Sequence, residues 1–247
     1  MRERKNFILF VFLLIANLNA QSLNRTFDEA LKLYQNKNYT SAYELFKSIV
    51  TDNSLNDNEK SSAHYYAAEC LVQLNQLDGA AAEFESFLKL YPLSSFRESV
   101  LYELGTIYYH NDEYRKAREN LSTLIYEYPG STYIGSAYYW IGESYSAQNK
   151  FIDAEENLKE AISRRDENNF ITHSIYALGQ LYEKTGDYNN AVSHYDELLT
   201  YYRNSPLAPR AQLRIGACYF ILKNYDSAVL ELTDPQINNL SREEIVE

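Results

Sequence analysis

The residues of this 247-residue chain that could do chemistry are four histidines, two cysteines and a scatter of adjacent carboxylates. Their spacing argues against a catalytic or metal centre. His64, His110, His173 and His194 never fall three or four residues apart, the interval that sets two ligands on one helix face, so no metal motif can be written. Each reads as a surface or junction residue. Glu155-Glu156 and Asp196-Glu197 are sequence neighbours, and neighbours on a helix point to different faces, so they read as solvated exterior and not as an acid and a base. No G-x-S-x-G elbow, phosphate-binding loop or dinucleotide fingerprint occurs. The expectation is a protein that is not an enzyme, with no metal, no cofactor and no small-molecule substrate. The sequons at Asn24, Asn38, Asn120 and Asn239 would matter only in a eukaryotic secretory pathway.

Those residues sit on a periodic scaffold. Ala42, Ala80, Ala117, Ala154, Ala191 and Ala228 are 38 residues apart once and 37 thereafter. Twelve residues before each marker stands a small residue: Ala30, Ala68, Gly105, Gly142, Gly179 and Gly216. Three before it stands Tyr39, Leu77, Tyr114, Phe151, Tyr188 or Tyr225, and nine before it the later copies place Tyr108, Tyr145, Tyr182 and Tyr219. A period of this length signals a stacked repeat. Within one copy, Leu101, Leu104, Gly105 and Tyr108 mark one helix face, Asn111-Asp112-Glu113 break it, and Tyr114, Ala117, Leu121, Leu124, Ile125 and Tyr128 mark a second helix, ended by Pro129-Gly130. Each unit is therefore helix A, a turn and helix B. Glycine inside a helix costs about 1 kcal/mol relative to alanine, so the recurrent glycine implies close approach, with the Ala117-type residue seated against the Gly105-type residue. One pair of helices cannot bury its apolar face alone, so units must stack. Cys70 and Cys218 share a repeat position four units apart, too far to bridge at about 10 Å per unit, and are expected to be buried as small apolar residues.

LGTIY, IGESY, LGQLY and IGACY, with YRKARENL, FIDAEENL, YNNAVSHY and YDSAVLEL, carry a resemblance to the tetratricopeptide repeat. The unit here is 37 residues instead of 34. Longer units ending in Tyr-Pro-x-Ser are similar to those of bacterial envelope members, such as the periplasmic partner of the Tol–Pal system and the lipoprotein of the outer-membrane barrel assembly machine. The resemblance implies an all-α, right-handed α-solenoid of about six units, at residues 23–57, 58–93, 94–130, 131–167, 168–204 and 205–234.

Residues 1–20 stand outside the array. Arg2, Arg4 and Lys5 precede an apolar run and Ala20 offers a cleavage point, which reads as a secretory signal and places the protein in the periplasm. The competing reading is an uncleaved anchor, against which the run falls short of the roughly 18 residues that span a bilayer. The net charge of −11 becomes −13 without the three basic residues and Glu3 of that segment, which excludes nucleic acid as a partner and leaves membrane association only through a partner. Caps are expected at Asn24 or Thr26, at Ser95 with Glu98, and at Ser205-Pro206. Residues 235–247 read as the start of a further unit or a terminal cap, because Ser241 and Glu244 form a capping box. The expectation is that the array continues in a longer polypeptide, as its receptor portion.

The resemblance also assigns a partner surface. The family uses one face of helix A as its concave groove, and the corresponding positions lie three before the small residue and one and four after it. Tyr65, Tyr102, Tyr139 and Tyr176 form a ladder there, with Phe27 and Leu213 at its ends, and Glu69, Thr106, Tyr109, Glu143 and Gln180 accompany it. Tyrosine offers a broad apolar body with a polar tip, suited to a protein or peptide segment. The competing reading of the ladder is packing between repeats.

Overall fold

Helix follows helix because each apolar stripe ends at a residue that can turn the chain left-handed. In the computed structural model, which describes residues 25–52 and 54–241, the A–B turns carry positive φ at Lys37, Asn75, Asp112, Asn149, Gly186 and Lys223. These are one repeat position, seven after the small residue. The next residue's N–H reaches back five residues in each turn, as in Asn38 to the Leu33 carbonyl and Asp187 to the Tyr182 carbonyl, both at 2.8 Å. This is a Schellman close, and it satisfies the last carbonyls of every helix A.

The described residues form α1 (25–35), α2 (Tyr39–Val50), α3 (Asp57–Gln73), α4 (Leu77–Leu90), α5 (Arg97–His110), α6 (Tyr114–Glu127), α7 (Ile134–Ala147), α8 (Phe151–Ser163), α9 (Ile171–Lys184), α10 (Tyr188–Tyr201), α11 (Ala208–Ile221) and α12 (Tyr225–Leu232). Single 3-10 turns follow at Arg165–Glu167 and Pro235–Asn239. No strand occurs among the described residues. The fold is an all-α solenoid of helix-turn-helix units, in which consecutive helices pack on one another. It divides into two compact units, one ending at Ile107 and one beginning at Tyr108. In the first, α2 packs on α3 and α3 on α4; in the second, α6 through α12 pack in succession.

The markers Ala42, Ala80, Ala117, Ala154 and Ala191 have no exposed surface, and Ala228 has 2%. The close approach has a different partner from the one the sequence suggested. A Cβ on Gly142 would lie 2.8 Å from Leu158 Cγ, one on Gly179 2.5 Å from the Tyr195 ring, and one on Gly216 2.6 Å from Leu232 Cγ. The glycines face helix B as expected, but they meet the residue four beyond the alanine. That residue lies one turn further along the same stripe, and its bulk fills the space the glycine leaves.

Helix B passes to the next helix A through a tyrosine and a serine. Ser94, Ser131 and Ser205 donate their N–H groups to the carbonyls of Tyr91, Tyr128 and Tyr202, and their hydroxyls accept from Phe96, Tyr133 and Leu207 at 3.0–3.3 Å. Asn168 does the same work for Phe170. The expected cap at Ser95 is thereby corrected to Ser94, because α5 starts only at Arg97. Pro206 likewise lies in the turn, and the proline of the first turn of α11 is Pro209. Thr26 lies inside α1 and not at its cap. Helix α12 is short because Pro235 cannot continue it; Asp234 accepts from Gln236 N–H, and Ile237 folds back onto α11. Residues 1–24, which hold the expected signal segment and Asn24, and residues 242–247, which hold Glu244 of the expected capping box, lie outside the described residues. No helix among the described residues is long and apolar enough to cross a membrane.

Candidate functional site

Within each unit the tyrosine ladder of the helix-A face is unevenly open. In the first unit Tyr65 on α3 is half-buried, its ring stacked on Phe96 at 4.6 Å. Tyr102 on α5 is only 9% exposed. In the second, Tyr139 on α7 is 7% exposed and lies parallel to Phe170 at 5.2 Å, with Trp140 4.8 Å from Tyr139 and 5.1 Å from Phe170. Tyr176 on α9 is half-buried, 5.3 Å from Tyr195, and Gln180 is exposed. Phe96 and Phe170 occupy one repeat position, just before helix A. A ladder tyrosine of one repeat therefore packs on the aromatic leading into the next, so part of the ladder holds repeats together while Tyr65 and Tyr176 keep surface.

The polar members are engaged across repeats in a recurring way. Tyr34 on α1 donates to Glu69 on α3 at 3.5 Å, and two repeats later Tyr109 on α5 donates to Glu143 on α7. Burial pushes the carboxyls of Glu69 and Glu143 above the ordinary range; the Lys184 charge and the Tyr109 hydroxyl oppose that rise at Glu143. Burial foremost, and then the neighbouring Glu carboxylates, hold both tyrosine hydroxyls firmly protonated. Thr106 is a different case: its hydroxyl donates to the Glu103 carbonyl at 2.9 Å within its own helix.

Sequence reasoning missed Glu103. It lies two residues before the small residue, outside the expected positions, yet burial and the Glu69 charge push its carboxyl up to about 7. Arg214, at the same repeat position in α11, was missed as well; it forms a two-pronged ion pair with Glu183 of α9. The repeat period could have pointed to both, since the same position carries Tyr66 and Trp140, which also contact the preceding repeat.

Away from this face, His64 corrects the expectation that every histidine is peripheral. It is 2% exposed, packed on Phe87 and Tyr91, with Nε2 2.7 Å from Glu83. His64 foremost, and then Lys47, hold Glu83 down to about 2. The Tyr108 series packs between repeats: Arg118 of α6 covers the Tyr145 ring at 4.3 Å, and Tyr182 donates to Glu155 of α8 at 2.8 Å. Cys70 and Cys218 are free and buried, and burial pushes both thiols up to about 12. Among the described residues no three His, Cys, Asp or Glu side chains converge as a metal set would. Open clefts of about 440 and 370 Å³ lie at two B–A junctions, beside Tyr91-Pro92 and Tyr202-Arg203.

Paired helices of one period, with a small residue of helix A against a bulky residue of helix B, define the class of tetratricopeptide-repeat solenoids. The helical units of this chain have the tetratricopeptide-repeat fold. Residues 176–234 match the family described as tetratricopeptide repeat, residues 57–173 that described as outer membrane lipoprotein (YfiO), and residues 8–87 that described as anaphase-promoting complex, cyclosome, subunit 3. No curated protein sequence matches the chain. Among solved structures, a tetratricopeptide repeat protein from Parabacteroides merdae is similar at TM-score 0.70 and 15% identity, over 91% of this chain and 83% of that one. Pseudomonas aeruginosa PilF is similar at TM-score 0.67 and 15% identity, over 92% and 96%. MamA from Desulfovibrio magneticus is similar at TM-score 0.64 and 18% identity, over 74% and 97%. At such identities the likeness is one of fold.

Proposed function

We propose that this protein is a non-catalytic scaffold of the bacterial periplasm that binds a protein or peptide segment along its helix-A face, in outer-membrane assembly or envelope maintenance. The observation that carries the reading is the line of tyrosines and carboxylates at fixed repeat positions, in which Tyr65, Tyr176 and Gln180 keep surface. Large amphipathic rings at regular spacing give contact area at low conformational cost. The match of residues 57–173 to an outer membrane lipoprotein family supports the envelope setting. The test is affinity capture from a periplasmic extract with wild type and with Tyr65→Leu/Tyr176→Leu, which keeps apolar bulk but removes ring and hydroxyl. The variant is expected to lose the proteins that wild type retains, with an unchanged helical signal. Retention of the same proteins, or a hydrogen-exchange footprint confined to the helix-B side, would overturn the reading.

A further inference from the structure

Three positions of the repeat mark the edge on which the next repeat stacks: four after the small residue, three before the alanine marker, and one after it. At the first, Tyr109 lies 4.8 Å from Trp140 of the following repeat, and Glu183 takes Arg214. At the last, Arg118 covers Tyr145 and Glu155 accepts from Tyr182. In all five preceding repeats the three positions are buried or half-buried. In the last described repeat they are Phe220, Tyr225 and Val229, which stand 61%, 55% and 63% exposed, with the Phe220 and Tyr225 rings 5.7 Å apart. Uncovering alone does not explain the composition. Ile221 and Leu230 occupy positions that are exposed in every repeat, where the preceding copies carry residues such as Gln35, His110 and Lys184, or Glu44, Glu119 and Glu156. Only the last repeat makes them large and apolar. A terminal repeat needs a polar outer face to stay soluble, and this one has the reverse. A further repeat stacked in register would cover the edge and leave Ile221 and Leu230 as open as their counterparts, so an occupant that takes in all five side chains has to be broader.

We propose that this apolar face of α11 and α12 is a self-association surface, on which a second copy of the chain packs about a two-fold axis. Charge favours that occupant. Between repeats the edge is matched by unlike groups, Glu183 with Arg214 and Glu155 with Tyr182, whereas Phe220 and Val229 stand where those carboxylates would be. About a two-fold axis a patch meets itself, so a charge at its centre would meet its like, and an uncharged patch complements itself. Lys223 and Asp226 flank it, exposed and of opposite sign, so two copies can set one against the other. The area is sufficient: five side chains that are 51–70% exposed leave on the order of 600 Å² open, and two copies together withdraw about 1,200 Å² from water, within the range of a specific interface. Because each chain carries net −11, the copies repel at a distance, and salt that screens this repulsion tightens the contact. The inference goes beyond the docking of a protein segment and does not depend on it.

The test is sedimentation equilibrium of the full chain from about 1 to about 100 μM, at ~150 and ~500 mM salt. Three proteins are compared: wild type, Phe220→Glu/Val229→Glu, and Tyr126→Glu/Ile152→Glu. The first variant installs the residue that Glu183 and Glu155 already supply at those repeat positions, so the fold tolerates it. The second changes apolar residues that are 87% and 85% exposed on α6 and α8. Wild type and the α6–α8 variant are expected to reach twice the monomer mass, and to do so at lower concentration in the higher salt. Phe220→Glu/Val229→Glu is expected to associate at least about tenfold more weakly. Monomeric wild type throughout, association that weakens with salt, or equal association of wild type and Phe220→Glu/Val229→Glu would overturn the proposal. Amide exchange on wild type guards against a folding artefact in the variant. Exchange in α12 and the last turn of α11 should slow as concentration rises through the association range, and exchange that does not change would overturn the proposal. Protection already complete in the monomer would assign the face to a segment of the same chain, and would overturn it as well.

Discussion

Gly142 is the residue whose lack of a side chain can be checked most directly. Alanine there gains helix propensity, up to about 1 kcal/mol, but its Cβ would lie 2.8 Å from Leu158 Cγ, a branch point close to the backbone that cannot swing away. Gly142→Ala is expected to be net destabilising by about 1–3 kcal/mol in denaturant unfolding. Combined with Leu158→Ala, it should cost less than the sum of the single changes, because the clash disappears. Glu103 gives a second prediction at this scale. Its folded pKa, about 7, lies above the ordinary 4.5, so between these values the folded chain holds a proton that the unfolded chain has released. Its contribution to stability is therefore complete below the lower value and lost as pH rises through the upper one, amounting to about 1–3 kcal/mol. Glu103→Gln removes this component alone. Its melting temperature relative to wild type should rise between about pH 5 and about pH 8, and a constant difference would contradict the assignment.

Each A–B turn depends on one residue at positive φ. Only Gly186 fills that position with glycine, at φ 80°. Gly186→Ala should cost about 1 kcal/mol, since a Cβ is strained there, whereas Gly130→Ala, with nothing within 4 Å of its added Cβ, should be nearly neutral. At the other end, α12 has 8 residues where α10 has 14, and Ile237 is the side chain that folds back to cover α11. Ile237→Ala should speed amide exchange in α11 and α12 and leave α7 to α9 unchanged, because stability in a stacked array is local to neighbouring elements. Uniform acceleration through the second unit would show that the 3-10 turn supports more than its neighbour. Phe220, Tyr225, Val229 and Leu230 are each more than half exposed on these two helices, so the loss of Ile237 has little to compensate it.

For the molecule as a whole, charge is the property that acts at a distance. A chain of net charge −11 attracts a basic segment before contact, so the association rate of octalysine should fall steeply as salt rises. The dissociation rate should change little, since it reports short-range contacts that salt screens far less. A salt-independent association rate in stopped-flow mixing would remove electrostatic steering from the account.

Period and composition alone determine a good deal of this protein. The 37-residue step, the small residue and the alanine marker specify paired helices and stacked repeats, because each is a local property: one face per helix, one breaker per turn, one gap per close approach. Only the tertiary structure decided which residue fills that gap, since Leu158 and Tyr195 answer the glycines through a register between helices that spacing along one helix does not contain. The same holds for the candidate site. Tyr65 and Tyr139 occupy identical repeat positions and both stack on the aromatic that leads into the next repeat, yet Tyr139 is sealed while Tyr65 keeps surface, because exposure depends on how the surrounding side chains pack and not on repeat position. Glu103 looked like one acid among many in the sequence. It became distinctive only when packing drew it largely out of water within reach of the Glu69 charge, because burial is a property of space and not of sequence position.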